Sequence, residues 1–198
     1  MKAAPFLLGI LLASCASTAA QRPPPERPNS KFDVYLGVRS LDEDDWAPVE
    51  DQGTLGLEYV HEHPADLVGF ELGLFASGNT KHDVQIGGGT FDVRGRTTEL
   101  SVGLRKTFCE DPTCVTPYVG AGLSLIRADF KGASGGSSAE DDDSSAGIYA
   151  HGGIDIPLGP GVTIGLDLRL LGGTDITLFG VNGTADYGQI ALVLGFRF

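Results

Sequence analysis

Eleven ionisable residues stand at alternate positions along segments that are otherwise apolar: Asp33, Glu58, Glu71, Glu99, Asp155 and Asp167, with Arg39, Arg105, Arg169 and Arg197, and His151. Alternation places such residues on one face of a strand. If that face is enclosed, the charges must pair and hydrogen-bond, because an isolated charge in a low-dielectric space is costly. Three chemistries fit the set. One is a plug of salt bridges and the second is an ion path. The third is a Ser/His/acid arrangement, because Ser101 and Ser124 share that face with His151. A histidine in a charge network is more often a satisfied partner than a catalyst, so no catalytic residue is assigned.

The remaining candidates carry less. His61 and His63 flank a short turn at Pro64 and lack the spacing of a metal site. Two acidic runs, 42–45 beside Trp46 and 140–143 in a Gly/Ser-rich stretch, miss the calcium-loop pattern, with no glycine at its sixth position and no glutamate at its twelfth. They read as solvated, mobile rims more readily than as sites for divalent cations. The clusters 87–89 and 135–136 of glycine are followed by no helix and so make no phosphate cradle. Neither a metal nor a cofactor is expected.

The elements that position these residues are strands. After residue 30 no helical periodicity emerges, whereas a period of two recurs eight times. Its apolar positions begin at Phe32, Leu55, Val68, Leu100, Val119, Ala150, Val162 and Ile190. Connections alternate in length. Short ones lie around residues 63–66, around the turn with Cys109 and Cys114, and around 157–160. Longer ones are expected at about 41–52, 77–91, 130–146 and 172–185. Unequal rims and eight antiparallel strands predict an up-and-down meander that closes and leaves no edge.

Which face points outward decides the class. The polar face mixes charges with Gly37, Gly56, Gly69, Gly73, Gly103, Gly120, Gly122, Gly153, Gly165 and Gly195. Bare glycine weakens a solvated strand, yet it suits a lumen that barely admits side chains. The other face is nearly all Leu, Val, Ile and Phe, in runs close to bilayer-crossing length. Apolar outward and polar inward is therefore preferred over a soluble, lipocalin-like binding barrel. Eight strands leave no open aqueous channel, which favours the plug over the ion path. The net charge of −12, with 26 acidic against 14 basic residues, argues against nucleic acid. Only the N-terminal stretch has the length of a membrane helix, so a polytopic helical protein is excluded.

That stretch, residues 1–20, has the parts of an export signal: Lys2, an apolar core over 6–12, then small residues. Two cleavage readings stand side by side. Thr18-Ala19-Ala20 suits an ordinary signal peptidase, and Leu12-Ala13-Ser14-Cys15 resembles a lipobox in which Cys15 is lipidated. Residues 21–30, with four prolines, read as an extended tether. The folded domain spans 31–198. Cys109 and Cys114 form an even remainder in an exported chain, which suggests a disulfide pinning a turn.

Two segments resemble a known group. The terminal run Ile190 to Phe198 alternates apolar residues and ends on Phe196 and Phe198, as in the last strand of bacterial outer-membrane proteins. Pro117-Tyr118-Val119-Gly120-Ala121-Gly122-Leu123 is similar to a strand of small OmpA/OmpX-like barrels. The resemblance implies an all-β, eight-stranded antiparallel up-and-down transmembrane barrel, inserted by the assembly machinery that reads the terminal strand. It implies the outer membrane of a Gram-negative-type bacterium, lipid and lipopolysaccharide as surroundings, and a monomer with both termini in the periplasm. A structural or surface-interaction role without catalysis is expected. Lipid-modifying enzymes exist on such barrels, but their motifs are not found here.

Overall fold

Val, Ile, Leu and Phe on alternate positions favour pleated backbone, and the hydrogen-bonded ladder follows that alternation. The computed structural model describes residues 30–63, 66–86, 89–108, 114–135 and 137–198. The export signal, Cys15, the proline-rich tether up to residue 29, and Cys109 lie outside them.

The barrel strands are β1 (Ser30–Leu41), β2 (Asp51–His61), β3 (Gly69–Ile86), β4 (Gly89–Thr107), β5 (Thr116–Ser134), β6 (Ser137–Gly159) and β7 (Val162–Gly172). A small ribbon of β8 (Ile176–Leu178) and β9 (Val181–Gly183) follows, and β10 (Tyr187–Arg197) completes the set. Neighbours pair antiparallel, and β1 pairs with β10 from Lys31↔Arg197 to Leu41↔Tyr187. The eight-stranded sheet is therefore closed.

Facing follows the predicted parity. Leu36, Leu170 and Leu192 point outward and are 65%, 64% and 58% exposed, while Arg39, Glu58, Glu71, Glu99 and Asp167 are buried inside. A soluble barrel turns these faces the other way. An apolar exterior over a polar interior is the arrangement a bilayer requires. The lumen glycines make room for rings: a side chain on Gly56 would strike Phe75, one on Gly103 would strike Tyr149, and one on Gly153 would strike Tyr118.

Strand length departs from expectation. β1, β2, β7 and β10 have 12, 11, 11 and 11 residues, close to the roughly 9–11 that cross a membrane. β3 to β6 have 18, 19, 19 and 23. The stretches 77–91 and 130–146, expected as long connections, are ladders that run on to Ile86↔Gly89 and Ser134↔Ser137. Their Gly, Ser and Asp content is atypical of strands, but register set inside the barrel propagates outward, and Gly135 supplies the positive φ (+56°) at one hairpin tip. The first connection also holds a single helical turn, α1 (Glu43–Trp46), whose N-cap Asp42 accepts from the Asp44 N–H.

These extensions form a collar with its own core. Trp46, Val49, Val93, Ile126, Ala128, Ile176 and Ala185 are buried together, with Val84, Phe91 and Phe130 against them. Trp46 meets Phe130 edge-on at 6.3 Å and donates its indole N–H to the Thr184 carbonyl at 2.8 Å. The first and last connections are thereby fastened to the concave side of the β3–β6 sheet.

Candidate functional site

The inward charges assemble in three tiers along the lumen. Nearest the short turns, the Lys31 ammonium lies 2.8 Å from Asp33 and 2.5 Å from Asp155. Arg105 spans Asp33 (3.3 Å), Glu58 (3.2 Å) and Asp155 (3.4 Å), its guanidinium stacked 3.6 Å over the Tyr118 ring. In the middle tier His151 stands between two carboxylates, with Nδ1 2.9 Å from Asp167 and Nε2 3.1 Å from Glu71. Tyr118 donates to Asp167, Tyr149 to Glu71 and Tyr35 to Glu58, at 2.9, 2.7 and 2.9 Å. In the third tier Glu99 accepts from Arg39 (2.8 Å), Arg169 (3.0 Å), Tyr187 (2.6 Å) and Ser124 (2.7 Å). Arg39 also donates to Thr97 and Gln189.

Ten of the eleven residues named from the sequence are buried in these tiers. Arg197 shares their facing but sits at the rim, half-exposed, because β10 ends there. The structure adds participants. Lys31 lies one step before the predicted alternation, and its parity with Asp33 is the signal that would have placed it inside. Phe75, fully buried, is an apolar residue on the polar face; Arg169 stacks 4.5 Å from its ring and 3.9 Å from that of Tyr149. Tyr118, Tyr149 and Tyr187 supply long donors that reach carboxylates two or more strands away, and Tyr35 reaches Glu58 on the adjoining strand.

The nucleophile arrangement is not assembled. Both nitrogens of His151 face carboxylates, and the Ser124 hydroxyl is given to Glu99. The lumen side chains hold charge in place, and neither Ser101 nor Ser124 is hydrogen-bonded to His151.

The second acidic run has a structural task that its composition hides. Within β6 the carboxylates alternate. Asp142 and Glu140 face out and pair with Arg127 (3.0 Å) and Lys131 (3.1 Å) of β5. Asp141 and Asp143 turn the other way and accept the backbone N–H groups of Phe179 (2.5 Å) and Thr177 (2.7 Å). The run is thus a strand that clasps the β8–β9 ribbon, in place of the mobile rim expected. Asp45 of the first run does the same for Thr184, at 2.8 Å. In the collar, the N–H groups of Thr177 and Ser144 hold the Asp143 carboxyl below its usual value. A depressed carboxyl adds stability above its unfolded titration range and loses it as pH falls through the folded value. The Thr177 amide is therefore expected to show a larger protection factor, its rate divided into that of an unstructured amide at the same pH, at pH 7 than in acid strong enough to protonate Asp143. Asp143→Asn should remove that pH dependence, as followed by amide exchange.

Comparison with known proteins agrees with this architecture. Residues 6–198 match the family model for the outer membrane protein beta-barrel domain. Comparison with curated proteins gives no match. Among solved structures, Ail, the attachment invasion locus protein of Yersinia pestis, solved with the heparin analogue sucrose octasulfate, is 17% identical, with a TM-score of 0.57 over 87% of this chain and 99% of that one. OprG of Pseudomonas aeruginosa is 14% identical, with a TM-score of 0.57 over 87% and 97%. A major outer membrane protein of Thermus thermophilus is 14% identical, with a TM-score of 0.58 over 85% and 99%. With apolar strands outward, ion pairs inward and the family model spanning nearly its whole length, the chain belongs to the outer membrane protein beta-barrel domain family and resides in the bacterial outer membrane.

Proposed function

We propose that this protein is a non-conducting outer-membrane anchor that presents its collar at the cell surface and carries out no catalysis. The observation that carries the reading is the three-tiered lumen, in which every strand of the barrel contributes a buried side chain to one interlocked network. Water and ions have no continuous route past residues that bond across the full width of an eight-stranded barrel. Reconstitution into planar bilayers is expected to give no steady conductance. A stable ohmic channel would overturn the plug.

The surface role rests on the collar. It is folded over its own core and clasped at both connections, so it offers a fixed shape for contact. The lipid side is argued from Arg94 and Arg96. They stand on the outer face of β4 beyond Leu100 and Thr98, the point where the apolar belt ends; Arg94 lies opposite Lys131 and Arg96 opposite Asp129, whose carboxylate is 3.6 Å from Arg127. Guanidinium groups so placed suit the phosphates of lipopolysaccharide. Added lipopolysaccharide should raise the thermal midpoint of the detergent-solubilised protein, and Arg94→Glu with Arg96→Glu should reduce that rise. An equal rise in both would contradict the assignment.

Four further expectations belong to this reading. The assembly machinery would recognise the terminal strand, where Phe196 faces outward and Phe198 stacks 5.6 Å from Phe32. A closed sheet with no free edge within the bilayer favours a monomer. Cys109 and Cys114 would bridge to pin the β4–β5 turn, and export would follow cleavage at one of the two N-terminal sites.

A further inference from the structure

We infer that the middle tier of the lumen is a binding site for one first-row divalent transition ion of the zinc type, held by Glu58, Glu71 and His151. The inference deepens the plugged-lumen reading and rests on it, since it assigns that plug a bound cation.

Three observations converge. The first is geometry. Glu58 on β2, Glu71 on β3 and His151 on β6 each bring one ligand atom to within 4.8 Å of the other two, and all three residues are buried. His151 Nε2 lies 3.1 Å from Glu71 Oε2. Roughly 2.0–2.2 Å bonds to nitrogen and carboxylate oxygen imply tetrahedral edges of about 3.4 Å, so closing the site needs only side-chain movement.

The second is orientation. A ligating histidine usually gives its other ring nitrogen to a carboxylate, which fixes the tautomer. Here Nδ1 lies 2.9 Å from Asp167, itself held by the Tyr118 hydroxyl. With the Nδ1 proton directed at Asp167, the Nε2 lone pair points at Glu71 and the space in front of it.

The third is unsatisfied polar atoms at the same place. Oγ of Ser101 and Oε2 of Glu58 are buried and have no hydrogen-bond partner, Oε2 having only the Arg169 guanidinium at 3.7 Å, and Glu58 is 1% and Ser101 2% exposed. Both lie beside Gly73, where a Cβ would stand 2.5 Å from Ser101 Oγ, 2.7 Å from the Phe75 ring and 3.6 Å from Glu58 Oε2, so the apolar ring walls one side of the site. Ser101 or a water would complete a four-coordinate set.

Charge supports the same conclusion. The buried lumen holds six carboxylates (Asp33, Glu58, Glu71, Glu99, Asp155, Asp167) against four fixed cations (Lys31, Arg39, Arg105, Arg169). With His151 neutral, as a ligand must be, and all six carboxylates ionised, as ligation requires of Glu58 and Glu71, the formal count leaves two negative charges with Arg105 and Arg169 already included. One divalent ion balances them. The lumen offers no open path to this depth, so capture would occur as the strands close around it.

The test uses the whole chain refolded in detergent micelles with Zn(II) or Co(II) present, then desalted against chelator. About one ion per barrel is expected, with Co(II) giving the visible absorption of a tetrahedral mixed nitrogen–oxygen site. Glu71→Gln should lose the ion, and Asp167→Asn should weaken binding about ten- to hundredfold by releasing His151. Heat-shifted gel migration verifies that each variant has folded. Background metal in folded wild-type protein overturns the inference, as does metal content unchanged in folded Glu71→Gln. Conductance measured on the same samples separates the two readings: a closed barrel without metal overturns only the ion site, and an open channel overturns the plug.

Discussion

Glu99→Ala is expected to destabilise the barrel by about 3–5 kcal/mol, because it leaves two buried guanidinium groups without their shared counter-ion. Glu99 is completely buried and accepts from Arg39, Arg169, Tyr187 and Ser124, whose side chains come from four other strands. Its loss therefore removes a node and not a single pair. Arg39 retains only the uncharged Thr97 and Gln189, and Arg169 retains the Tyr187 hydroxyl at 3.1 Å and a longer contact of 3.7 Å to the Glu58 carboxylate, so Arg39 is left with no counter-ion. Urea unfolding in phospholipid vesicles, followed by gel migration, should show a lowered midpoint. Glu140→Ala, which breaks an exposed cross-strand pair in the collar, should stay within about 0.5 kcal/mol of wild type under the same conditions. Equal midpoints for Glu99→Ala and wild type would mean that the network does not hold the lumen together.

Trp46→Ala should cost a similar amount, about 3–5 kcal/mol, yet in a different part of the molecule. The indole is 1% exposed and sits where α1, the β3–β6 extension and the last connection meet. Deleting it opens a cavity in the collar core and orphans the Thr184 carbonyl that accepts its N–H. The membrane-embedded tiers below share few groups with that core, chiefly Tyr149 and Tyr187. Limited proteolysis should accordingly cut the first and last connections of the variant while heat-modifiable migration of the barrel persists. Loss of both together would show that collar and barrel unfold as one unit.

The strands that cross the membrane were plain in the sequence, because a period of two over about ten residues needs no tertiary information to be read. Asp33, Glu71, Asp167 and the others could be placed inward from parity alone. What parity cannot supply is range. Tyr149 and Glu71 are 78 residues apart and meet only because the sheet curls round on itself. The collar was harder to see. In 137–147 of β6, glycine, serine and aspartate replace the apolar half of the pattern, since that stretch faces solvent on one side and bonds a ribbon with its carboxylates on the other. Phe75 gives no such signal, because a phenylalanine on the polar face interrupts the alternation, yet its ring fills the space over Gly56 and Gly73.

The seam between β1 and β10 sets Phe32 beside Phe196, so the two strands most distant in the chain are neighbours in space. Every other pairing in the barrel is local and can form early. This one waits for the last residues. Until it forms, both seam strands present a row of bare amides and carbonyls, each costing several kcal/mol in hydrocarbon. A partly inserted sheet is therefore less tolerable than one that has not entered at all. Membrane entry becomes an all-or-none event in which β10 acts as a latch, and its docking commits the protein to the bilayer.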